Sequence, residues 1–146
     1  MAPLEILGTF EGRVDPQGRM VVPQKFRAAL AGEVVLARGV DGCIEAYPSA
    51  EWAAVSARVK AFSPYDRHAR ILRRLTFSGA YTATLDRQGR ALLPAGLREF
   101  AGIAEEVIIT GQDTYFEIWS PDRWEAQEAQ GPNLADIAQE LEKGNA

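Results

Sequence analysis

Residues 13–27 read R-V-D-P-Q-G-R-M-V-V-P-Q-K-F-R, and residues 84–98 read T-L-D-R-Q-G-R-A-L-L-P-A-G-L-R. The second stretch repeats the first at an offset of 71 residues, with these identities: Asp15/Asp86, Gln17/Gln88, Gly18/Gly89, Arg19/Arg90, Pro23/Pro94 and Arg27/Arg98. The second copy then contains one extra residue, so further positions recur at an offset of 72: Gly39/Gly111, Asp41/Asp113, Glu45/Glu117 and Trp52/Trp124. Because a unit of about 45 residues buries little core alone, we expect the two copies to pack together as one pseudo-two-fold domain.

The composition is typical of one ordinary globular domain, with 146 residues, 47% apolar and 25% charged. Cys43 is the single cysteine, which excludes a disulfide framework and a multi-thiolate metal site. The start, Met-Ala-Pro-Leu-Glu, has neither the basic residues nor the apolar run of a secretory signal. No uncharged stretch has the length of a membrane span. We therefore expect a cytoplasmic protein with no membrane partner.

The charge is distributed unevenly along the chain. Residues 1–98 carry 14 Lys+Arg and 9 Asp+Glu, a balance of +5, whereas residues 99–146 carry 2 and 11, a balance of −9. Together they give the net charge of −4. Asymmetry of this kind says more about partners than the total does. Two interpretations stay open: a neutral body with an acidic tail, or a basic binding face on a body that the tail keeps soluble.

Each copy is predicted to have the order β-β-α-β-β. The strands are expected at residues 10–14, 19–22, 34–37 and 43–47 in the first copy and at 81–85, 90–93, 107–109 and 115–119 in the second. D-x-Q-G is interpreted as a hairpin loop, because Asp bonds its own backbone and Gly accepts a positive φ. Proline at positions 23 and 94 ends a strand and suits the start of a helix, so short helices are expected at 25–30 and 96–100.

The predicted fold class is α+β, mostly β with short helices. The domain organisation is repeat 1 at 8–54, a basic helical connector at 55–78, repeat 2 at 79–125 and an acidic C-terminal tail at 126–146. Further helices are expected to begin at Ser49, Asp66 and Pro121, and the one that begins at Asp66 is expected to end at Leu75. The tail places apolar residues at helical spacing, which predicts a short amphipathic helix: Leu134, Ile137, Ala138 and Leu141.

The repeated D-x-Q-G-R loop is the strongest candidate site. A tight turn requires the Asp and the Gly but does not require the Arg that follows, so its duplication favours a function. Arg19 and Arg90 are suited to donate two hydrogen bonds to a phosphate or a guanine edge, and Asp15 and Asp86 would orient them. Two alternatives stay open: an ordinary hairpin turn, or an internal ion pair that stabilises the hairpin without any partner.

Each copy resembles the SpoVT–AbrB domain, and two tandem copies at this spacing resemble the MraZ family. The resemblance covers about residues 5–125 and is carried by D-x-x-x-R in each copy, by the flanking G-R-M-V-V-P and G-R-A-L-L-P, and by the V-x-L strands and the E-x-Y/W-P/S endings. It implies a pseudo-two-fold β-barrel of swapped-hairpin type, in which one chain mimics the dimer of single-copy relatives.

The resemblance also implies a bacterial transcriptional regulator, often a repressor, associated with the cell-division and cell-wall gene cluster. Such a protein would form a ring-shaped homo-oligomer and bind direct repeats of double-stranded DNA in the promoter of its own operon, with a cytoplasmic, nucleoid-associated location. Relatives often place Lys or Arg inside the first loop, whereas this chain has Pro16-Gln17 there and only Arg87 in the second loop. We therefore expect the two loops to contribute unequally.

The predicted DNA-binding residues are those of the two loops and their cationic neighbours. Asp15, Arg19, Asp86 and Arg90 would form the base-reading set. Further cations would contact phosphates, because such contacts position a protein while base contacts specify its site: Arg13 and Arg87, with Lys25, Arg27 and Arg98 as additional candidates.

The connector supplies a second basic surface. Between residues 56 and 77 only Asp66 opposes its cations: Arg58, Lys60, Arg67, Arg70, Arg73 and Arg74. Three of them, Arg67, Arg70 and Arg74, share a helical face. This surface is interpreted as a solvated helix face, with phosphate contact or contact with an acidic neighbouring subunit as alternatives.

Other reactive residue types favour structural roles. His68 has no second ligand at metal spacing and is expected at the surface, Cys43 is expected to be a small core residue, and Trp52 and Trp124 are expected in the core or between the copies. Asp15 and Asp86 are unsuited to share a proton, because the paired Arg residues would keep both ionised. No catalytic, metal or cofactor motif is found, so we expect no enzyme, no cofactor and no small-molecule substrate.

Two functions of different classes remain. The first is a sequence-specific DNA-binding regulator. The second is a protein-interaction scaffold that uses ring assembly for a protein partner and has only non-specific affinity for DNA. A small barrel enzyme is a remote third.

Overall fold

The computed structural model describes residues 5–131 and 133–144, and within these ranges it contains eight strands and six helices. The first copy consists of β1 Thr9–Arg13, β2 Arg19–Val21, α1 Gln24–Arg27, β3 Glu33–Arg38 and β4 Ile44–Tyr47, followed by α2 Ser49–Lys60 and α3 Arg67–Ser78. The second consists of β5 Tyr81–Thr84, β6 Arg90–Leu92, α4 Ala95–Ala101, β7 Glu106–Gly111 and β8 Phe116–Trp119, followed by α5 Pro121–Gln130 and α6 Leu134–Gly144. The predicted β-β-α-β-β order and the α+β class are confirmed.

The strands of the two copies are interleaved. Six of them form one antiparallel sheet in the order β1-β7-β8-β4-β3-β5, and β2 pairs with β6 in a separate two-stranded ribbon, hereafter the ribbon. If each strand is replaced by its equivalent in the other copy, the same order of six strands results, read from the opposite edge of the sheet. The fold therefore has the expected pseudo-two-fold symmetry. Within the described residues β1 and β5 are not hydrogen bonded to each other, so the sheet is open.

The register locates the pseudo-two-fold axis at two residue pairs. In the ribbon, Met20 lies opposite Ala91, its equivalent in the second copy. In the sheet, Glu45 of β4 lies opposite its equivalent, Glu117 of β8. A position that faces its own counterpart lies next to the axis. The axis therefore passes through the middle of the ribbon and the middle of the sheet.

The D-x-Q-G hairpin is much shorter than predicted. Val14 and Met20 form a single bridge across the first loop, but β1 then pairs with β7 and β2 with β6, so the hairpin strands separate at once. The interpretation of D-x-Q-G as a hairpin loop therefore holds for the turn and, in the first loop, for one bridge, but not for the strands beyond them. The separation has a physical advantage, because each strand gains a partner from the other copy and neither copy could bury its apolar face alone.

One core serves both copies. It combines apolar side chains from the inner faces of the sheet and the ribbon, and Phe26 of α1 contacts both Phe10 of its own copy and Phe116 of the other at ring-centroid distances of 5.2 Å. Trp52 and Trp124 lie elsewhere. They are half-buried against Tyr47 and Trp119 of their own copies, on the face of the sheet that the core does not use. The expectation that they fill the core or the space between the copies is wrong.

The helices begin at residues that the sequence marks. The Asp66 carboxylate accepts a hydrogen bond from the amide of His68 at the start of α3, and the Ser120 hydroxyl accepts one from the amide of Arg123 at the start of α5. Such side chains satisfy amides that the first helical turn leaves unpaired. Helix α3 continues to Ser78, three residues beyond the predicted end at Leu75.

Glu45 and Glu117 place two carboxylates directly opposite each other on the axis, outside the core. Glu45 accepts a hydrogen bond from the Tyr47 hydroxyl at 2.7 Å, and Glu117 accepts one from the Trp119 indole N–H at 3.1 Å. Burial raises the pKa of Glu45 above its ordinary value of 4.5; the Tyr47 hydrogen bond opposes this rise, and the charges of Glu117 and Asp41 add to it. Like charges opposite each other across strands are destabilising.

We expect Glu45→Gln to stabilise the protein near pH 7. Because the folded pKa lies above the unfolded value, the folded state binds more protons, and stability falls as pH rises through the interval between the two. The Gln amide oxygen still accepts from Tyr47 without the charge, so the gain should be a few tenths to about 1 kcal/mol and should shrink towards pH 4.5. Thermal unfolding across this pH range, with Glu11→Gln on exposed β1 as control, measures it; an unchanged or lower melting temperature would contradict it.

Candidate nucleic-acid interface

The two D-x-Q-G-R loops fold as identical tight turns. In the first, the Asp15 carbonyl accepts from the Gly18 amide at 2.9 Å, and the Asp15 amide donates to the Arg19 carbonyl at 2.8 Å. The second has the same bonds between Asp86, Gly89 and Arg90, at 2.9 and 3.0 Å. Gly18 and Gly89 have φ values of 85° and 76°, a conformation that side chains disfavour and glycine accepts. The repeated sequence is therefore explained in part by turn geometry.

The aspartate side chains hold both turns together. One carboxylate oxygen of Asp15 accepts from the amides of Gln17 and Arg19, each at 2.9 Å, and Asp86 accepts in the same way from Gln88 and Arg90. Hydrogen bonds from the Arg19 and Arg90 amides are the main cause that lowers the pKa of Asp15 and of Asp86 below the ordinary 3.8. Both carboxylates are therefore ionised at neutral pH and face the Arg side chains as acceptors.

The two arginines are held differently. Arg90 Nε donates to Asp86 Oδ2 at 2.7 Å, and its Nη1 lies 3.9 Å from Asp15 Oδ2 of the other copy. Arg19 Nε lies 3.5 Å from Asp15 Oδ2 without making a hydrogen bond, and its terminal nitrogen donates to the Gln17 side chain. The side chains of Arg19 and Arg90 are 34% and 27% exposed. Asp86 orients Arg90 by a hydrogen bond, whereas Asp15 lies beside Arg19 without one. Both arginine side chains lie against the loops instead of projecting freely.

The loops meet across the pseudo-two-fold axis. The Val22 amide donates to the Gly89 carbonyl at 2.9 Å, and the Leu93 amide donates to the Gly18 carbonyl at 2.8 Å. Each loop is therefore bonded to the strand end of the other copy. The loops are 71 residues apart in the sequence, and the fold places them side by side on one surface.

Two further arginines cover these contacts. Arg27 Nε donates to the Val22 carbonyl and Arg98 Nε to the Leu93 carbonyl, both at 2.9 Å. The Arg27 guanidinium occupies the space that a side chain on Gly89 would need, and Arg98 lies next to Gly18. The backbone bonds use only Nε, and no hydrogen bond within residues 5–131 and 133–144 uses the terminal nitrogens of Arg27 or Arg98. These groups remain able to bind an anion.

The outer face of the ribbon carries two cations and two apolar side chains. Met20 and Ala91 are buried beneath it, and residues two apart on a strand share a face. The pairs Arg19–Leu92 and Val21–Arg90 therefore face away from the core. Val21 is 50% exposed and Leu92 is 39% exposed. Sequence reasoning missed these two residues, although the repeated pattern of an exposed apolar residue two positions after each Arg was available as a signal.

The remaining predicted cations differ in whether a carboxylate forms an ion pair with them. Arg87 is exposed at the tip of the second loop, and no ion pair to it occurs in the part of the chain that the structure describes. Arg13 ends β1 and is 70% exposed, but it forms an ion pair with Glu106 at 3.5 Å. Lys25 is exposed on α1. A nearby carboxylate competes with any phosphate, so Arg13 is less available than Arg87.

The other sequence candidates do not extend this site. Cys43 is buried and burial raises the pKa of its thiol, so it is an unreactive residue of the interior. His68 is exposed beside Asp66. Among the described residues no group of three or more His, Cys, Asp or Glu side chains is arranged to hold a metal ion. No helix in these ranges is both long and apolar enough to cross a bilayer.

Fold and site together define a pseudo-dimeric α+β protein, in which one chain supplies two copies of a unit and their charged loops meet on a shared ribbon. The MraZ family model, described as an antitoxin-like MraZ protein, matches the chain twice, at residues 6–75 and 76–143. The chain belongs to the MraZ family.

Relatives match over nearly the full length. A protein of Thermomicrobium roseum named Transcriptional regulator MraZ is 43% identical over 133 residues, covering 88% of this chain and 94% of the relative. Proteins with the same name are 45% identical over 119 residues in Herpetosiphon aurantiacus, covering 82% of this chain and 83% of the relative, and 41% identical over 136 residues in a Roseiflexus species, covering 92% and 95%.

We expect the two loop aspartates to contribute to the loss of stability in acid. Because their folded pKa values are lowered, the folded state binds fewer protons near pH 3.8, so their contribution is present above that pH and is lost as pH falls through the folded pKa. The double variant Asp15→Asn, Asp86→Asn keeps the acceptor oxygens but cannot titrate. Its urea midpoint should therefore fall less steeply than that of the wild type below about pH 4.

Asp136→Asn, in exposed α6, is the matched control and should retain the wild-type slope. An unchanged slope in the double loop variant would contradict the role assigned to the two carboxylates.

Proposed function

We propose that this protein is a sequence-specific DNA-binding transcriptional regulator, without catalytic activity, that uses the outer face of the ribbon to bind its site. The observation that carries the proposal is the convergence of Arg19 and Arg90, each next to an ionised aspartate, on the outer face of one two-stranded ribbon. The names of the relatives support the regulatory role.

The two-stranded form and the outer-face residues of the ribbon suit it to read the major groove of DNA. The major groove of B-DNA admits a two-stranded β-ribbon, Arg pairs with the O6 and N7 acceptors of guanine, and apolar side chains contact the thymine methyl. The ribbon supplies both kinds of contact through Arg19 and Arg90 and through Val21 and Leu92. Asp86 engages only Nε of Arg90 by a hydrogen bond, and Nη1 lies 3.9 Å from Asp15 Oδ2 without a hydrogen bond. In this proposal the terminal nitrogens exchange that long ion-pair contact for the acceptors of a base.

Surrounding cations supply the phosphate contacts in this proposal. Arg27 and Arg98 lie beside the loops with terminal nitrogens available, and Lys25 and Arg87 are exposed nearby in sequence. Together with Arg19 and Arg90 they make six cationic side chains against the two loop carboxylates. Such a local excess attracts the DNA backbone even though the chain as a whole is acidic.

The finer features follow from the family resemblance. We propose that repeats 8–54 and 79–125 form the DNA-binding body, that the connector 55–78 and the tail 126–146 serve assembly, and that the protein acts in the cytoplasm on the nucleoid. We further propose a ring-shaped homo-oligomer that represses the cell-division and cell-wall operon of its own gene through direct repeats in the promoter. Each chain in such a ring contributes one ribbon.

Alanine substitution separates the roles of the loop arginines. We expect Arg19→Ala and Arg90→Ala each to remove about 1–3 kcal/mol of discrimination between the cognate site and a scrambled site, because each Arg reads a base. Arg27→Ala should weaken both DNAs equally, because it contacts phosphate. Titration of fluorescent duplexes from the region upstream of the gene, at fixed salt, measures both effects.

Arg67→Ala, a cation of α3 outside the ribbon, is the control and should bind as the wild type does. If Arg19→Ala and Arg90→Ala weaken cognate and scrambled DNA by the same factor, the base-reading role is wrong. If they instead lower the melting temperature and leave specific binding intact, the Asp–Arg pairs are internal ion pairs only.

Direct repeats test the ring. Several ribbons in one assembly engage neighbouring repeats at high effective concentration, so a duplex with the native series of repeats should bind at least about 100-fold more tightly than a duplex with one repeat. Equal affinities at matched salt would contradict multivalent binding.

The same titration tests the scaffold alternative. Affinity that ignores sequence and disappears by about 150 mM salt would indicate counterion release alone, and would favour a protein-interaction function.

A further inference from the structure

An open apolar groove of about 400 Å³ lies outside the core and away from the ribbon. Its walls are α2 and α3, and the β3–β4 turn and α4 close its ends. Its apolar lining includes Trp52, Val55, Val59, Leu72, Leu75 and Phe100, and the charged residues Arg38 and Glu45 also line it. Leu72 is 40% exposed and Leu75 is 51% exposed. A contiguous apolar surface of this kind indicates an interaction site.

Helix α6 presents an apolar stripe that packs on nothing in the described part of the chain. Leu134, Ile137 and Leu141, hereafter the α6 stripe, are 83%, 38% and 64% exposed, and α6 contains no buried residue. The helix is capped, since the Asn133 side chain accepts from the Asp136 amide at 2.9 Å. An isolated helix of this length is marginal in water, and helical stability comes mostly from packing an amphipathic face.

The groove and the α6 stripe match in length. Along α2 the groove follows Trp52, Val55 and Val59, which are spaced i, i+3 and i+7. The α6 stripe has the same spacing, and each covers about 10 Å of helix. Two helical faces of equal length can therefore pack along each other throughout.

The charges beside the two apolar faces are complementary. Arg38 lines the groove, Arg58 precedes Val59 and Arg73 follows Leu72, and none of these cations forms an ion pair within residues 5–131 and 133–144. Glu45 also lines the groove, where the Tyr47 hydroxyl donates to it, so three cations stand against one carboxylate. The α6 stripe is flanked mainly by acids, Asp136, Glu140 and Glu142, although Lys143 lies 3.8 Å from Glu140. Complementary charge around an apolar contact fixes its orientation and excludes other partners.

We propose that the α6 stripe of one chain docks into the groove of a neighbouring chain in a homo-oligomer. No residue of α6 lines the groove of its own chain, so the α6 stripe that occupies the groove comes from a second chain. The contact joins two different surfaces, and repetition of such a contact closes into a ring when the rotation allows it. The contact thus supplies the interface for the ring of the proposed function. It rests on the ring alone and not on DNA binding, because the ribbon takes no part in the contact.

Cross-linking between differently labelled chains tests the contact directly. Ile137→Cys and Leu75→Cys are made in separate chains, distinguished by a tag, and mixed under mild oxidation. Cys43 is buried with a raised thiol pKa, so it does not compete. We expect a disulfide-linked heterodimer of the two chains. A disulfide that forms only within one chain carrying both substitutions, or no disulfide in either arrangement, would overturn the proposal.

Disruption of the α6 stripe provides the second test. Leu134→Asp with Leu141→Asp should reduce the particle mass in light scattering to the 16.0 kDa of one chain, and Leu75→Asp in the groove should do the same. Gln139→Asp, on the opposite face of α6, is the control and should keep the assembly. Circular dichroism verifies the fold, which should persist because none of the α6 positions is buried.

Binding to a single DNA repeat, measured on the same variants, distinguishes this proposal from the DNA-binding function. Monomeric variants that bind one repeat as well as the wild type, but lose the preference for several repeats, support both. An intact assembly in all three α6 and groove substitutions overturns the docking proposal and leaves the ribbon untouched. Intact docking without any specific DNA binding overturns the function instead.

Discussion

The exchange of hydrogen bonds between the copies at the ribbon is the constraint on which the rest depends. Val22 bonds the loop of the second copy at Gly89, and Leu93 bonds the loop of the first at Gly18. Because each strand of the ribbon belongs to a different copy, neither loop reaches its final position until both copies have folded together. The shared core and the interleaved sheet follow from the same arrangement, and the charged surface exists only as a product of it.

Much of this could be predicted from the sequence, because its signals were local or duplicated. The repeat predicted the symmetry, D-x-Q-G predicted the turns, and Asp66 predicted the start of α3. The pairing of the strands could not be predicted from these signals, because a turn fixes the chain for only a few residues. Which partner a strand then meets depends on apolar surface that another copy offers, and this is why β2 pairs with β6 instead of β1.

The candidate site shows the same division. Asp15, Arg19, Asp86 and Arg90 could be selected from spacing alone, since a duplicated Arg is not required by a turn. Their partial burial and the covering of the loops by Arg27 and Arg98 could not, because these depend on contacts across the axis. Val21 and Leu92 were missed for a different reason: apolar residues in a strand are usually assigned to a core, and the ribbon turns these two outward.

The inequality of the two loops has a consequence for any duplex that the ribbon meets. A dimer of identical single-copy chains offers two equal halves and matches a palindrome. Here Pro16 stands where the other loop has Arg87, and Arg90 is bound more closely by its aspartate than Arg19 is. Because one chain contains both halves and they differ, the molecule has a polarity. In the proposed DNA-binding function, this polarity distinguishes one direction along the DNA helix from the other.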